Sequence, residues 1–479
     1  MRELPNDPKM NWIPDEWARM YEQLSEHSAW YSGDADQLIQ FYATRRSVST
    51  VNGRFWAENA INTNNRTIVH TPIAGDIATF SSDLLFSESP SFKIPEAHEK
   101  TEAGEIIRNE TTARAIQAED RLIEIIDEGG VINRLLAAGE TSAAMGGVFL
   151  KPTWDLEIAD FPILSIAQPD SAIPYFRYGM LAGVIFHKIV LQDGDRVFRL
   201  LENYTNGLIE TGLYVGDQNT IGSRLPLTYL SETKDINPYL NTQIPRILTR
   251  YVANKRPHKR FRGTDVGMSD LQGVETYMDA LDMTMTSWMR DIALGRARIH
   301  IPADVIENDG NGNAYFDVGK EIYINLDIDP GQLGEKAISA TQFDIRAAEH
   351  ETTATKLIST ILHMAGYAPH SFGFGTGSNV SEETSELRER KTLITKQKKE
   401  RFFKDPIQDV LQMMMQIDNI HLGKSTPTEF RPDVTFADTL GHDISRVANT
   451  VNMLKTAQAA SIETRVRMVN PELSPDRVQ

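Results

Sequence analysis

Apolar residues recur at helical spacing through much of the first 130 residues. Trp17, Tyr21 and Leu24 follow this spacing on a helix that Pro14 is suited to begin. A second helix is predicted for about residues 76–86. A third carries an apolar stripe that consists of Ala115, Ala118, Leu122, Ile125 and Ile126. Stripes of this kind are typical of helices that pack one face into a core.

The period of the pattern changes to two between about residues 147 and 216. Three apolar and β-branched runs occupy residues 184–190, 197–201 and 208–215. The runs are separated by Asp193-Gly194-Asp195 and by Asn206-Gly207, which are compositions that favour tight hairpin turns. This region therefore predicts an antiparallel sheet made of hairpins.

Two long helices are predicted on either side of a small β-rich insertion. The first is about 20 residues, or roughly 30 Å, long and ends at Gly295. The second runs from about residue 344 to 364. Between them, residues 298–301 and 314–326 alternate like strands around the turn at residues 309–313. The first helix has an apolar stripe of Tyr277, Leu281, Trp288 and Ile292.

A glycine and phenylalanine segment follows the second long helix. Residues 366–380 contain no acidic or basic side chain and are predicted to form a mobile loop, with Phe372, Gly373, Phe374, Gly375 and Gly377 in alternation. A third long helix begins after Ser381 and is net basic. A Met-rich apolar stretch beyond Asp405-Pro406 is expected to be core, and two helices are predicted after Asp443.

Composition limits the possible functions. The 479 residues are enough for about three domains. The absence of cysteine excludes disulfides, thiolate metal sites and cysteine nucleophiles. No run of about 18 apolar residues and no secretory signal is found, so a soluble, cytosolic origin is expected.

The formal net charge of −17 argues against a protein that coats nucleic acid with a broad cationic face. It is compatible with DNA that slides past an acidic surface. The densest basic run, residues 255–262, lies in a connector that contains Pro257. Two interpretations of this run stay open: a solvated linker, and a contact with DNA or with an acidic partner.

Motifs for catalysis and for metal binding are incomplete. Gly423-Lys424-Ser425-Thr426 resembles the end of a phosphate-binding loop, but Asp418 replaces its first glycine and no strand is predicted before it. His350-Glu351 lacks the second histidine of a zinc motif. The turn at residues 309–313 lacks the glycine and the final acid of a calcium loop. We therefore predict no enzyme, no catalytic residues, no metal and no cofactor.

The order of these elements resembles that of the portal proteins of long-tailed double-stranded-DNA bacteriophages. Local strings are also similar to family members, namely Trp30-Tyr31-Ser32-Gly33-Asp34 and residues 70–90, 238–257, 383–401 and 461–471. The specificity comes from their number and order, since none is a chemical signature. The hairpin region, about residues 151–222, matches only in general character.

The resemblance implies an α+β subunit with named parts. A mixed α/β wing would occupy residues 1–262, followed by a stem helix at 263–296, a small β-rich clip at 297–343 and a returning stem helix at 344–365. A tunnel loop at 366–380, a long basic helix with a core segment at 381–422 and a helical crown at 423–479 complete the chain.

The resemblance also implies that identical subunits, commonly twelve, form a ring at one capsid vertex of the virion. The subunits would be made in the host cytoplasm. Expected partners are the terminase large subunit, the head-tail adaptor, the major capsid and scaffolding proteins, and double-stranded DNA in transit. The clip residues expected to bind the adaptor and terminase are Tyr315, Phe316 and Tyr323. The basic residues expected to face the channel are Lys391, Lys396, Lys398, Lys399 and Arg401.

Some alternatives stay open at this level. The basic residues could instead pair with Glu386, Glu389 and Glu400 at helical spacing. The stripe on the first long helix could be buried within one subunit rather than between subunits. The whole chain could be another virion or adaptor protein, which ring symmetry would distinguish. It could also be a nucleotide hydrolase, whose activity Lys424→Ala should then abolish.

Overall fold

A computed structural model gives the structure of the chain. It describes residues 3–45, 54–59, 68–98, 109–295, 298–300, 307–308, 314–315, 339–341, 345–374, 382–437, 451–459 and 461–469.

Helices and strands alternate in blocks along the chain, so the fold is α+β. The helices are α1 (Asp15–Tyr31), α2 (Ala35–Thr44), α3 (Phe55–Asn59), α4 (Ile73–Phe86), α5 (Glu110–Glu128), α6 (Val131–Met145), α7 (Glu275–Leu294), α8 (Ala347–Ala365) and α9 (Glu382–Ile420). Residues 451–456 and Ile462–Val469 are also helical. The strands are β1 (Ser91–Lys93), β2 (Gly147–Thr153), β3 (Ile163–Ala167), β4 (Ala172–Arg177), β5 (Met180–Asp193), β6 (Arg196–Thr205), β7 (Leu208–Gly216), β8 (Ser223–Leu225), β9 (Tyr239–Asn241), β10 (Arg250–Ala253), β11 (Arg298–His300), β12 (Glu307–Asn308), β13 (Ala314–Tyr315), β14 (Ser339–Thr341) and β15 (Asp433–Thr435).

The chain divides into two compact units. The first comprises Met1–Phe41, Pro72–Glu275 and Leu362–Gln479, and the second Tyr42–Thr71 and Thr276–Ile361. The second unit thus contains most of both long helices and the β-rich insertion. It also contains residues 42–71, which the sequence pattern alone did not connect with those helices.

The first unit contains the predicted sheet of hairpins. Strands β4 to β8 form an antiparallel sheet in sequence order, and β9 pairs with β7. Both predicted turns are confirmed, since Gly194 and Gly207 have φ values of 60° and 73° between paired strands. A second antiparallel sheet has the order β10-β2-β3, and β1 pairs with β15.

Helix α9 crosses the core of the first unit. Its apolar residues Phe403, Ile407, Val410, Leu411, Met414 and Ile417 are buried in one cluster with residues of α4, α5, α6 and β2. The helix continues through Pro406, although proline removes one backbone hydrogen bond and costs about 3 kcal/mol. Burial of several large apolar side chains at about 1.5–3 kcal/mol each outweighs that cost. The basic stretch and the Met-rich stretch are therefore one helix of 39 residues.

In the second unit, α7 binds an earlier segment of the chain through acidic side chains. Asp279 accepts hydrogen bonds from the backbone N–H groups of Phe55 and Trp56 at the start of α3. The fully buried Asp282 accepts bonds from the Trp56 indole at 3.0 Å and from the Thr71 N–H at 2.8 Å. A polar stripe at helical spacing thus fixes this segment, a feature that an apolar pattern does not reveal.

The apolar stripe predicted on α7 is divided between core and surface. Leu281 is fully buried, whereas Tyr277 and Ile292 are 37% and 41% exposed. Trp288 stacks on His350 of α8, and Asp291 accepts hydrogen bonds from Arg346 and His350. Part of the stripe therefore serves packing within the unit, and part remains on its surface.

Candidate functional site

The chain between α8 and α9 begins as an ordered turn, although its composition predicts a mobile loop. Gly366 has a φ of 114°, and both its N–H and that of Tyr367 donate to the carbonyl of Leu362, which closes the end of α8. A 3₁₀ turn follows at Pro369–Phe372, and Gly373 ends it with a φ of 79°. Local hydrogen bonds therefore hold residues 366–373 in a defined turn.

The two loop phenylalanines have different environments. Phe372 is partly buried, with its ring 4.3 Å from that of Phe80 on α4 and 6.2 Å from that of Tyr367. Phe374 is 39% exposed, and its N–H donates to the carbonyl of Pro369. Phe372 thus anchors the start of the loop while Phe374 faces solvent. Gly375 and Gly377 lie outside the described residues.

Threonines of α9 fix the turn from the other side. Thr392, which is fully buried, accepts a hydrogen bond from the N–H of Ala368 at 2.9 Å. One turn further along the helix, Thr395 donates to the carbonyl of Gly366 at 2.6 Å. The base of the loop is therefore held by side-chain to backbone bonds rather than by apolar packing alone.

One turn beyond Thr395, Lys399 forms the centre of a buried polar network. Its side chain is 2% exposed and its ammonium lies 2.6 Å from a carboxylate oxygen of Asp270, whose side chain is fully buried. Lys399 also donates to Asn254 at 2.7 Å and to the hydroxyl of Ser81. Asp270 in turn accepts a bond from the Tyr367 hydroxyl at 2.6 Å.

Lys255 joins the same network from the basic run. Its ammonium lies 2.7 Å from the second carboxylate oxygen of Asp270 and also donates to the carbonyl of Ala365, the last residue of α8. The network thus joins α4, the end of β10, the segment before α7, the end of α8 and α9. The structure also shows that Lys255 does not belong to a freely solvated linker.

Burial and the neighbouring charges shift the pKa values of Asp270 and Lys399 in opposite directions. Burial raises the pKa of Asp270, but the charges of Lys255 and Lys399 outweigh it and hold that pKa below its usual range. Burial lowers the pKa of Lys399 to about 8, and the charge of Asp270 limits the decrease. Burial and the neighbouring carboxylate raise the pKa of Tyr367, so its hydroxyl remains a donor.

The five basic residues predicted to face a channel are not equivalent. Lys399 is buried in the network, and Lys396 is 4% exposed, donating to the carbonyl of Ala437 at 2.6 Å. For these two residues the prediction of a channel-facing charge is wrong, because both ammonium groups are enclosed by internal acceptors. Lys391 is half-buried and donates to the carbonyl of His363, and burial lowers its pKa. Lys398 and Arg401 are exposed.

The other predicted positions are only partly described. Tyr315 lies on β13, which pairs with β12 so that Asn308 faces Ala314. The turn predicted at residues 309–313 lies outside the described residues. Phe316 and Tyr323 lie outside the described residues.

The incomplete phosphate-loop motif serves a structural role. It follows the end of α9, and Lys424 lies 3.5 Å from Asp160. Thr426 donates to Asp418, whose carboxylate also accepts two bonds from Arg121. Asp418, the residue that replaces the first glycine, is thus a fully buried partner of a guanidinium.

Neither a metal site nor a membrane span is found where the structure can be described. There, no cluster of three or more His, Asp or Glu side chains is arranged to hold a metal ion. Within the same residues, no helix is long and apolar enough to cross a membrane.

Sequence reasoning missed Asp270, Asn254 and Tyr367 as partners of Lys399. Asp270 precedes α7 in an irregular segment, and the sequence separation from Lys399 hides the pairing. One signal was present: Lys396, Lys399 and Phe403 fall on the same face as the buried apolar residues of the helix. Basic residues on a buried face indicate internal pairing rather than surface charge.

One family model matches nearly the whole chain. The family model described as "Phage portal protein, SPP1 Gp6-like" matches residues 10–472. One similar solved structure is described as "Neck of empty GTA particle computed with C6 symmetry", with 10% sequence identity and a TM-score of 0.41. The similarity covers 83% of this chain and 90% of that one. No curated protein matches the chain.

We expect Asp270→Ala to lower the free energy of unfolding of the first unit by about 3–5 kcal/mol, because it leaves the buried ammonium of Lys399 without its counter-charge. Lys399→Met combined with Asp270→Ala should recover part of this loss. Lys398→Met, the same substitution at the adjacent exposed position, is the control and should change stability by less than about 0.5 kcal/mol. Urea unfolding followed by circular dichroism measures all three, and equal stability of the Asp270→Ala variant and the wild type would contradict the importance of the pair.

Proposed function

Since this chain belongs to the SPP1 Gp6-like family of phage portal proteins, we propose that its copies form a closed ring, commonly of twelve, at one capsid vertex. The full-length family match carries this proposal. In it, double-stranded DNA enters and leaves the head through the ring, and the protein has a structural rather than a catalytic role in the virion. Synthesis in the cytoplasm of the host and assembly with the major capsid and scaffolding proteins belong to the same proposal.

The surface of α7 supports contact between copies. Five large apolar side chains of this helix remain 37–50% exposed in the isolated subunit: Tyr277, Met283, Met289, Ile292 and Leu294. Met289 and Ile292 are three residues apart and therefore lie on one side of the helix, and exposed apolar side chains that lie together favour cover by another protein. Repeated head-to-tail contacts close into a ring when the rotation from one copy to the next returns to the first copy. The parts of the subunit are proposed to be the wing, stem, clip, tunnel loop and crown with the bounds given above.

The loop after α8 is proposed to face the channel. Its base is anchored by Phe372, Thr392 and Thr395, whereas Phe374, Lys398 and Arg401 are exposed. An apolar ring such as that of Phe374 makes no hydrogen bond to phosphate, so it can contact a moving duplex without holding it. We therefore retain Phe374, Gly375, Gly377, Lys398 and Arg401 as proposed channel residues, with Phe372 and Gly373 as their support.

The β-rich insertion is proposed to be the clip that binds the terminase large subunit and later the head-tail adaptor. The described strands in this segment are short pairs, β11 with β14 and β12 with β13. Strands of this kind can pair with a strand that another chain adds at an open edge. Tyr315, Phe316 and Tyr323 are the aromatic residues proposed to contact these partners.

We expect the purified chain to form closed rings with an axial hole, visible by electron microscopy and measurable by light scattering. Met289→Asp/Ile292→Asp should weaken ring assembly more than tenfold, since burying each apolar side chain contributes about 1.5–3 kcal/mol. The matched control is Met180→Asp/Ile189→Asp, at positions that are 74% and 59% exposed on strand β5. A wild-type protein that stays monomeric throughout the micromolar range would contradict the proposed ring.

For the channel loop, we expect Phe374→Ala and Lys398→Glu/Arg401→Glu to assemble normally but to package shorter DNA or to retain less of it. The reason is that the first removes the apolar contact and the second introduces repulsion toward phosphate. Lys188→Glu/Arg196→Glu, which changes two exposed charges on the sheet of the first unit, is the control. Packaged DNA length, measured by gel electrophoresis, checks the result. Wild-type length and retention in both variants would show that these residues do not face the genome.

For the clip, Tyr315→Ala/Phe316→Ala/Tyr323→Ala should leave rings intact and weaken binding of terminase or adaptor at least tenfold. The loss of aromatic side chains at an interface typically costs 1 kcal/mol or more each. Tyr229→Ala/Tyr239→Ala removes two tyrosines that are 58% and 57% exposed on the first unit and serves as the control. Pull-down titrations with both partners measure the effect, and unchanged binding of both would refute this assignment.

A further inference from the structure

A cleft in the first unit has an aromatic floor that the proposed channel and clip do not use. It has a volume of about 390 Å³ and lies between the start of α1, strand β4 and residues 261–266. Its apolar lining includes Trp17, Met20, Phe176 and Phe261, and Glu16, Arg19 and Asp265 contribute charged groups. The size and the apolar lining fit one or two aliphatic side chains of a protein partner.

The margin of this cleft is basic. Phe261 belongs to the basic run of residues 255–262, and Arg256, Lys259, Arg260 and Arg262 of this run are exposed. Lys255 is the exception, since it is paired with Asp270 inside the subunit. Four exposed cations thus lie on the segment that forms one wall of the cleft, and the Arg260 guanidinium lies 5.9 Å from the ring of Phe261 in the lining. The lining itself has Glu16 and Asp265 against Arg19, so the positive charge lies beside the cleft rather than inside it. An acidic partner is favoured at such a margin.

The chain itself contains a segment with the complementary chemistry. The loop between β2 and β3 exposes Leu156 and Ile158 to 70% and 73%, with Asp155, Glu157 and Asp160 around them. Its conformation is ordered, because the Asp155 carboxylate accepts a hydrogen bond from the Glu157 N–H at 3.0 Å. The Asp155 carbonyl accepts two more, from the N–H groups of Ile158 and Ala159. The loop therefore presents two aliphatic side chains between carboxylates at little entropic cost.

The two features lie at opposite ends of one sheet. Ala253, at the end of β10, pairs with Gly147 at the start of β2, so residues 254–268 leave the sheet at that end. The acidic loop follows Thr153 at the other end of the seven-residue strand β2, about 20 Å from Gly147. A subunit therefore cannot fill its own cleft with this loop. Complementary surfaces at opposite ends of a subunit produce head-to-tail contacts, which close into rings.

We propose that Leu156 and Ile158 of one copy insert into the aromatic cleft of the next copy, with Asp155, Glu157 and Asp160 against its basic margin. This inference rests on the proposed ring. It assigns the basic run to contact with an acidic segment of a second copy of this chain rather than with DNA.

Disulfide crosslinking tests the contact directly, since the natural chain has no cysteine. Glu157→Cys and Thr264→Cys introduce one thiol on the loop and one on the cleft wall. A bond within one subunit is excluded, because disulfides require Cα atoms less than about 7 Å apart. Mild oxidation of the double variant should give a ladder of linked multimers in denaturing gels, whereas each single variant should give none.

The control is Gln192→Cys combined with Thr264→Cys, which places the first thiol near the exposed β5–β6 turn. Assembled rings that give no ladder, or a control that crosslinks as efficiently, would overturn the contact. A wild type that forms no ring contradicts the proposed function itself, so the two failures are distinguishable.

Substitutions provide a second measurement. Leu156→Ser/Ile158→Ser should weaken ring assembly at least tenfold, and Ile189→Ser/Leu191→Ser, an exposed Ile and Leu pair on β5, should not. Lys259→Glu/Arg262→Glu should also weaken assembly, and adding Glu157→Lys should restore it. Unchanged thermal unfolding confirms that these surface variants fold.

A further measurement tests whether the basic run contacts DNA or the acidic loop of a second copy. Fluorescence anisotropy measures the binding of a short DNA duplex over a range of salt concentrations. If Lys259→Glu/Arg262→Glu leaves the rings intact but abolishes salt-dependent DNA binding, the run contacts DNA and the inference fails. If DNA binding is unchanged and the rings weaken, the inference is supported.

Discussion

The buried ion pair of Lys399 and Asp270 is the interaction on which the arrangement of the first unit depends. Asp270 lies five residues before α7, Tyr367 is the second residue after α8, and Lys399 lies in α9. The pair therefore lies near one point where the chain leaves this unit, after Glu275, and near the point where it returns, at Leu362. An apolar contact could provide similar stability, but it would tolerate a shifted packing. A charged pair does not, because a misplaced partner leaves an uncompensated buried charge that costs several kcal/mol.

Carboxylates of the second unit also fix a segment of the chain, but they do so through hydrogen bonds from neutral groups rather than through an ion pair. Asp279 and Asp282 of α7 accept hydrogen bonds from backbone N–H groups and from an indole. These groups belong to residues 54–71, which have few long apolar runs of their own. A segment that lacks a strong apolar face is thus fixed by directional bonds to a helix. The apolar side chains of α7 that this arrangement leaves exposed are then available to other contacts.

Periodicity predicted those elements whose structure depends on local sequence. The hairpins of residues 180–216 and helices α7 and α8 follow from alternation, helical spacing and turn residues. A proline inside a helix ordinarily bends or ends it, but burial of the apolar residues around Pro406 outweighs this effect. The partners of Lys399 depend on chain segments distant in sequence, so a single sequence could not identify them. Composition alone does not distinguish the buried Lys396 and Lys399 from the exposed Lys398, whereas helical spacing places the first two on the buried face.

This distribution of charge matters for the proposed passage of DNA. Each phosphate that a lysine or arginine neutralises strengthens binding and steepens its salt dependence by about 0.9 in log–log slope. If all five of the residues predicted to face a channel did face the duplex in every copy, the ring would hold DNA rather than let it move. Internal acceptors enclose Lys396 and Lys399 and bind Lys391, so Lys398 and Arg401 are the exposed members of these five. A basic helix inside an acidic protein can therefore support the loop structurally and still leave a weak, mobile contact for phosphate.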